Sequence, residues 1–563
     1  MAEVATFCRI CEPSCGLIAE VEQGELQRLK PDKAHPVTQG FACHKGLGFG
    51  RIHADPARVD VPQRRTDTGF VDCDWEAALS DIGQRLKALV DTHGPDSVGL
   101  YFGNPTAFSA TAPAALLGFM KALGLRRQFN SGTQDCSNKF AGSEAVFGTS
   151  TLHPIPDLEH TDFALIFGEN PKVSHMSFVS QADPMAAFRR LRERGGRVCF
   201  VNPRRIESAV GEEVLQVQPD TDLYLLAALL HEIDAAGLFE DDVIAAHGRN
   251  IEGLRDFIAP YSAQAVAAVC GIPAAEIQQL ALDFAKAPSA CVHMSTGLNM
   301  GRQGTLCYWL LQMLSFCTGN LDRRGGNLYA PGFFPATRSG RMDLSSSPFA
   351  QTVHGELRAI RGALPGNLLA DFILEDPQPI RALIVVAGNP LLSIAGEERL
   401  RQAFAGLDLL VSVDLYRNAS GELADYVLPA CDMLERADIN LCGLGMQAQP
   451  FVQYSPAVVP ARGARREEWW IFAELLARMG HGSGADAAVV EGRLQHMLSA
   501  SGLSLAELQQ SPSGTVKLPS PEPGRFYQEW IQTADHRVDC CPALFAEALL
   551  QAAEIFAQEC ALP

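Results

Sequence analysis

Two stretches of the chain are apolar at nearly every position instead of at alternate ones. Residues 163–171 read FALIFGENP and residues 382–390 read ALIVVAGNP. A strand with one wet face alternates apolar and polar side chains, whereas a strand of a parallel sheet is covered on both faces and reads as a continuous run. Each run ends in glycine and Asn-Pro. Charged, helix-like segments follow, MAAFRRLRERGG at 185–196 and GEERLRQAFAG at 396–406. A second strand-like run with a polar end comes next, RVCFVNPRRIES at 197–208 and LDLLVSVDLYRNAS at 407–420. The pattern predicts two β-α-β units, and therefore an α/β protein with two parallel-sheet domains.

Ligands of open α/β sheets sit beyond the carboxyl ends of the strands, where small residues let the backbone approach a phosphate or ribose. Asn170, Asn389 and Asn202 suit hydrogen bonds to a nucleotide, and Arg204 or Arg205 suits a diphosphate. Alternatively, each Asn-Pro only stops its strand. Two copies in matching contexts imply two similar ligands bound by two similar halves. No G-x-G-x-x-G opens a helix after a strand and no P-loop occurs, so a nicotinamide site has no support.

Composition narrows the class. At about 150 residues per domain, 563 residues suggest roughly four domains. The net charge of −19, with no basic run to offset it, argues against nucleic acid and anionic membrane surfaces. No 18-residue apolar stretch and no leader pattern occur, so the expected location is cytoplasmic, where disulfides are rare.

That setting bears on the cysteines. Cys8, Cys11 and Cys15 form C-x2-C-x3-C, and Cys43 follows in GFACHKGLG. Three thiolates at these spacings cannot share one helix face, but they can line a loop around a cluster, with the fourth returning from a distant turn. Cys₄ ligation of a [4Fe–4S] cluster needs this arrangement. Structural zinc is the alternative, although zinc ribbons usually bring two paired knuckles. Of the remaining cysteines, Cys136 stands apart. It sits among Asp135, Ser137, Asn138 and Lys139, a polar setting suited to a thiolate at a site. The competing reading is a plain thiol at a helix start.

The C-x2-C-x3-C-x27-C pattern followed by HKG resembles the opening of the molybdenum/tungsten bis-pterin oxidoreductases, the dimethyl-sulfoxide-reductase superfamily, in its cluster-bearing formate dehydrogenase and nitrate reductase-like branch. Further matches run in order to about residue 470: GENPKVSH, FVNPRR, QPDTDLYLLAALL (218–230), FCTGNLDRRGGNL (316–328), VAGNPLLS and ELADYVLPACDMLERADIN (422–440). Within 218–230, Asp220 stands where the family has glycine, while Thr221 and Asp222 are kept.

The resemblance implies a small N-terminal iron–sulfur domain plus two Rossmann-like α/β domains. The expected boundaries are 1–58 for the cluster domain, 59–150 with 345–480 for the second dinucleotide half, 151–344 for the first half, and 481–563 for a C-terminal extension. It implies a [4Fe–4S] cluster on Cys8, Cys11, Cys15 and Cys43, and molybdenum or tungsten held by bis-molybdopterin guanine dinucleotide. Cys136 would ligate the metal, and Lys45 would lie between cluster and pterin. The cofactor-binding set would be Gly168, Asn170, Pro171, His175, Asn202, Arg204, Asp222, Gly297, Gly388, Asn389, Pro390 and Asp414.

The activity implied is two-electron oxidation or reduction of a small molecule, with electrons passing to a redox partner such as a ferredoxin or flavoprotein. Formate-oxidising relatives place His directly after the ligand residue, where this chain has Ser137, so the substrate stays open. His153, His175, His293, Arg338 and Arg341 are further candidates. Relatives also carry a pterin-covering β-barrel that residues 515–563 only approach, so a separate barrel-bearing subunit is expected. Two other readings stay open, an electron-transfer scaffold like the large subunit of respiratory complex I and, less favoured, a hydratase.

Overall fold

The computed structural model describes residues 1–334 and 349–561. Arg338 and Arg341 lie outside them. The chain divides into two compact units, one of residues 1–134, 346–442 and 451–517, the other of residues 135–345, 443–450 and 518–563.

The second unit is built on the first apolar repeat. Strand Phe163–Phe167 pairs in parallel with Arg197–Asn202 on one side and Ala290–Met294 on the other, and Glu213–Gln216 extends the sheet. Alternate residues of this strand face opposite ways. Phe163, Leu165 and Phe167 pack with helices Asp222–Ala235, Ala274–Lys286 and Gly304–Cys317, while Ala164 and Ile166 pack with Phe188 and Leu191 of helix Pro184–Glu193. Both faces are dry, which is why no polar position interrupts the run.

The first unit repeats the arrangement in a seven-stranded sheet. Its parallel part sets Ala382–Val386 between Val98–Phe102 and Leu409–Asp414, with Arg127–Asn130 and Tyr426–Pro429 outside them. An antiparallel hairpin, Gln63–Thr66 with Gly69–Asp72, closes one edge. Ala382, Ile384 and Val386 meet helices Trp75–His93, Ala112–Leu123 and Glu468–Arg478, and Leu383 and Val385 meet Leu400, Ala403 and Phe404. Ahead of this sheet, residues 1–31 form a three-stranded antiparallel sheet. Among the described residues no single helix is long and apolar enough to cross a membrane.

Candidate functional site

The N-terminal thiols converge in the first unit. Strand Ala2–Phe7 delivers Cys8, strand Gly16–Glu22 starts just after Cys15, and Cys43 caps helix His44–Leu47. The Cys8 amide donates to the Cys15 carbonyl at 2.9 Å, which closes the loop between them. Gly16 is required for space, because a Cβ there would lie 2.4 Å from the His35 ring. His35 in turn meets Gln453 at 2.8 Å, and Gln453 donates to the Ser14 carbonyl at 2.6 Å, pinning the loop to strand Phe451–Ser455.

Burial pushes the Cys8 thiol up to about 11, and it drives Cys11 and Cys15 up as well. Cys43 adds to the rise at all three, so the four sulfurs share one electrostatic neighbourhood. Lys45, half-buried, opposes the rise at Cys8 and Cys11, and the Ile10 amide donates to the Cys8 sulfur. A Cβ on Gly46 would stand 3.0 Å from that sulfur. Thiols that are costly to ionise alone, yet gathered beside a cation and an amide donor, fit a group that supplies positive charge to thiolates. An iron–sulfur cluster does so.

The two Asn-Pro loops have nearly the same backbone. Gly168 has φ +58° and donates its N–H to the Val201 carbonyl at 2.9 Å; Ala387 has φ +50° and donates to the Val413 carbonyl at 2.8 Å. Asn170 sits at φ −132°, ψ 80° and Asn389 at φ −133°, ψ 72°, and Pro171 and Pro390 each begin a short helical turn. Each loop has a serine latch. The Ser208 hydroxyl donates to Asn170 Oδ1 at 2.6 Å and accepts the Lys172 N–H at 2.8 Å. Ser420 does the same with Asn389 Oδ1 at 2.8 Å and the Leu391 N–H at 3.3 Å. Asn202 Nδ2 donates to the Glu169 carbonyl at 2.9 Å, and Asn418 Nδ2 to the Gly388 carbonyl at 3.2 Å.

The asparagine groups expected to reach a nucleotide therefore build the loops. Asn170 is engaged at both ends, since its Nδ2 donates to Glu207 at 2.6 Å. What the loops leave for a ligand is backbone brought close by glycine. A Cβ on Gly297 would lie 2.7 Å from Gly168 Cα, and one on Gly388 would lie 2.9 Å from Tyr101. Arg204 is exposed and pairs with Glu207 at 3.2 Å.

Two acids are shifted by their surroundings: Asp222 begins helix Asp222–Ala235 and Asp414 ends strand Leu409–Asp414. Burial, and to a smaller degree the neighbouring Asp220, lift Asp222 to about 7. Asp414 rises to about 6 through burial, although it accepts the Leu415 amide at 2.6 Å and Asn418 Nδ2 at 3.1 Å. A carboxyl costly to ionise in the unliganded protein suits an acceptor whose partner is a ligand N–H. Asp220, at the glycine position of its motif, keeps the left-handed conformation, φ +66°, and its carboxylate accepts the Arg302 amide at 3.0 Å.

Cys136, half-buried, caps helix Ser137–Phe147. The first turn is tied down by Asn138, which donates to the Asn299 carbonyl at 2.6 Å and accepts from Thr305 at 2.8 Å. One turn on, the buried Lys139 ammonium lies 4.5 Å from the Phe178 ring centroid. The histidine candidates have different surroundings. His153 meets the Tyr308 hydroxyl at 3.1 Å in the core, and His175 ends the Pro171–Ser174 turn at φ +64°. His293, fully inside, lies 3.6 Å from the equally buried Glu169.

Sequence reasoning missed Ser208, Ser420 and Asn418. Their partners lie 38, 31 and 30 residues away. The one available signal was that both serines follow the second strand of a repeat.

Comparison with known proteins adds the following. The family model described as "Molybdopterin oxidoreductase" matches residues 58–478, and "Molybdopterin oxidoreductase Fe4S4 domain" matches residues 1–52. The F420-dependent formate dehydrogenase subunit alpha of Methanocaldococcus jannaschii is 25% identical over 494 residues, 85% of this chain and 70% of that protein. A nitrate reductase of Symbiobacterium thermophilum is 25% identical over 506 residues, 85% of this chain and 66% of that protein. The solved acetylene hydratase from Pelobacter acetylenicus superimposes with a TM-score of 0.81 at 21% identity, covering 97% of this chain and 78% of that one, which shows a shared fold.

Proposed function

Since the chain belongs to the molybdopterin oxidoreductase family, we propose that it carries out two-electron chemistry on a small molecule at a molybdenum or tungsten centre and exchanges the electrons with a redox partner protein. The observation that carries the reading is the duplicated loop, with two strand ends of matching backbone and matching serine latches. Two equivalent cradles suit a cofactor made of two equivalent dinucleotides.

When bound, the pterin-held metal supplies the two-electron step and the cluster relays electrons one at a time. The chain's own residues hold and orient. Cys8, Cys11, Cys15 and Cys43 would hold the cluster, with the positive charge of Lys45 beside it. The close backbone at Gly168, Gly297 and Gly388 would receive the dinucleotides, and Asp222 and Asp414 would serve them as hydrogen-bond acceptors. Cys136 offers its thiolate to the metal from a helix start, where the helix dipole favours negative charge. The electron partner is proposed to be a ferredoxin or flavoprotein.

The test is Cys136→Ala in the anaerobically purified protein. Dye reduction should be abolished while iron content and the cluster's EPR signal persist, because the two sites use separate thiols. Full turnover in the variant would remove Cys136 from the site. Turnover of substrate with no electron delivered to the dye, in either protein, would mark non-redox chemistry instead.

A further inference from the structure

The first unit holds a second charge beside the cluster thiols that no motif marks. Arg9 follows Cys8 directly in the chain, and its side chain is 2% exposed. Its guanidinium is fixed from several sides. Nη1 donates to the Met433 carbonyl at 2.6 Å and shares the Arg436 carbonyl with Nη2 at 3.4 Å. The Arg9 amide contacts Met433 Sδ at 3.3 Å, and the guanidinium carbon lies 4.7 Å from the Phe7 ring centroid. A side chain held in this way cannot swing toward solvent, so its charge stays beside Cys8.

The balancing charge is buried too. Asp438, fully inside, has Oδ1 occupied by the Ala110 and Ile439 amides at 2.9 and 3.0 Å. Its Oδ2 has no hydrogen bond among the described residues and lies 3.9 Å from Arg9 and 3.6 Å from Arg436, which itself pairs with Glu468 at 3.0 Å. These are through-space attractions in a medium of low polarity, where charge acts over longer distances than in water. Burial lowers Arg9 to about 10, which leaves it cationic at neutral pH. Lys45 and, more weakly, Arg9 act as positive groups on the Cys8 sulfur.

We propose that Arg9 is a positioning residue for electron transfer, a fixed buried cation that raises the reduction potential of the cluster held by Cys8, Cys11, Cys15 and Cys43. The inference rests on the cluster assignment above. Adding an electron to a cluster makes it more negative, and a cation that cannot be screened by water stabilises that state. Cluster potentials respond to nearby charge and to solvent exposure in this way. Lys45 acts on the Cys8 sulfur more strongly than Arg9 does, but Lys45 is half-buried whereas Arg9 is held inside, where solvent screens its charge least.

The test is an EPR-monitored redox titration of the anaerobically purified full chain, with iron counted in each sample. Arg9→Gln should lower the midpoint potential by about 59 mV, equivalent to a tenfold loss in the equilibrium constant for one-electron reduction. Arg9→Lys should stay near the wild-type value. Asp438→Asn, which keeps the Oδ1 acceptor for both amides, should move the potential the opposite way. If Arg9→Gln fails to hold iron, Asp438→Asn decides alone. Unmoved potentials in variants with full iron would overturn the proposal while leaving the cluster in place. A wild-type chain without a reducible cluster would overturn the cluster assignment first, and this inference with it.

Discussion

Ser420 donates its hydroxyl to the side-chain oxygen of Asn389 at 2.8 Å, and the same contact recurs between Ser208 and Asn170 at 2.6 Å. Each serine also receives an amide from the turn that the asparagine begins, so one hydroxyl holds both the side chain and the backbone of a ligand loop. Removing it should loosen the loop without touching a ligand. Ser208→Ala and Ser420→Ala should each cost about 1 kcal/mol in urea unfolding, the usual worth of a hydrogen bond. A double variant should cost their sum, because the two latches share no partner.

The left-handed position before each loop asparagine supplies a paired prediction. Alanine in that conformation pays roughly 1 kcal/mol that glycine avoids, so Ala387→Gly should hold stability or raise it by up to ~1 kcal/mol. Gly168→Ala should have the opposite sign. Its Cβ would meet Gly297 Cα and the Leu298 amide, each at 2.9 Å, and overpacking of this kind costs roughly 1–3 kcal/mol. Thermal melts of both variants check the pair.

Asp222 predicts a pH dependence. Its folded value is about 7 against an ordinary 3.8. Across that window the folded chain keeps a proton that the unfolded chain has released, so stability falls as pH rises. Asp222→Asn should therefore raise the melting temperature of the cofactor-free protein at pH 8 and leave it unchanged near pH 3.5, where both forms are neutral. An equal effect at both pH values would assign the change to packing. The same variant should weaken binding of guanine nucleotide, measured by calorimetry at pH 8.

The repeat of two β-α-β units was legible in the chain because a strand covered on both faces has no polar position to hide. Phe163–Phe167 and Ala382–Val386 are buried at every residue. That the four cysteines share one neighbourhood was legible from their spacing. What the loops do with their asparagines was not, because Asn170 and Asn389 differ from ligand-facing residues only in the distant serines that turn them inward. Ala387 carries no sign of its left-handed backbone, since its counterpart Gly168 reaches the same φ with a different residue. Nor does Arg9 show its burial, which depends on Met433, Arg436 and Asp438 more than 420 residues away.

The central claim is that one chain holds an iron–sulfur cluster on four N-terminal thiols and two guanine dinucleotides on two equivalent loops. It is tested most directly by stoichiometry on anaerobically purified protein: iron, molybdenum, tungsten and zinc by mass spectrometry, and guanosine monophosphate released by acid hydrolysis. About four irons, about one molybdenum or tungsten and about two guanosine monophosphates per chain are expected. Stoichiometric zinc with no iron would contradict the cluster, and a single guanosine monophosphate beside one metal would contradict the equivalence of the two loops.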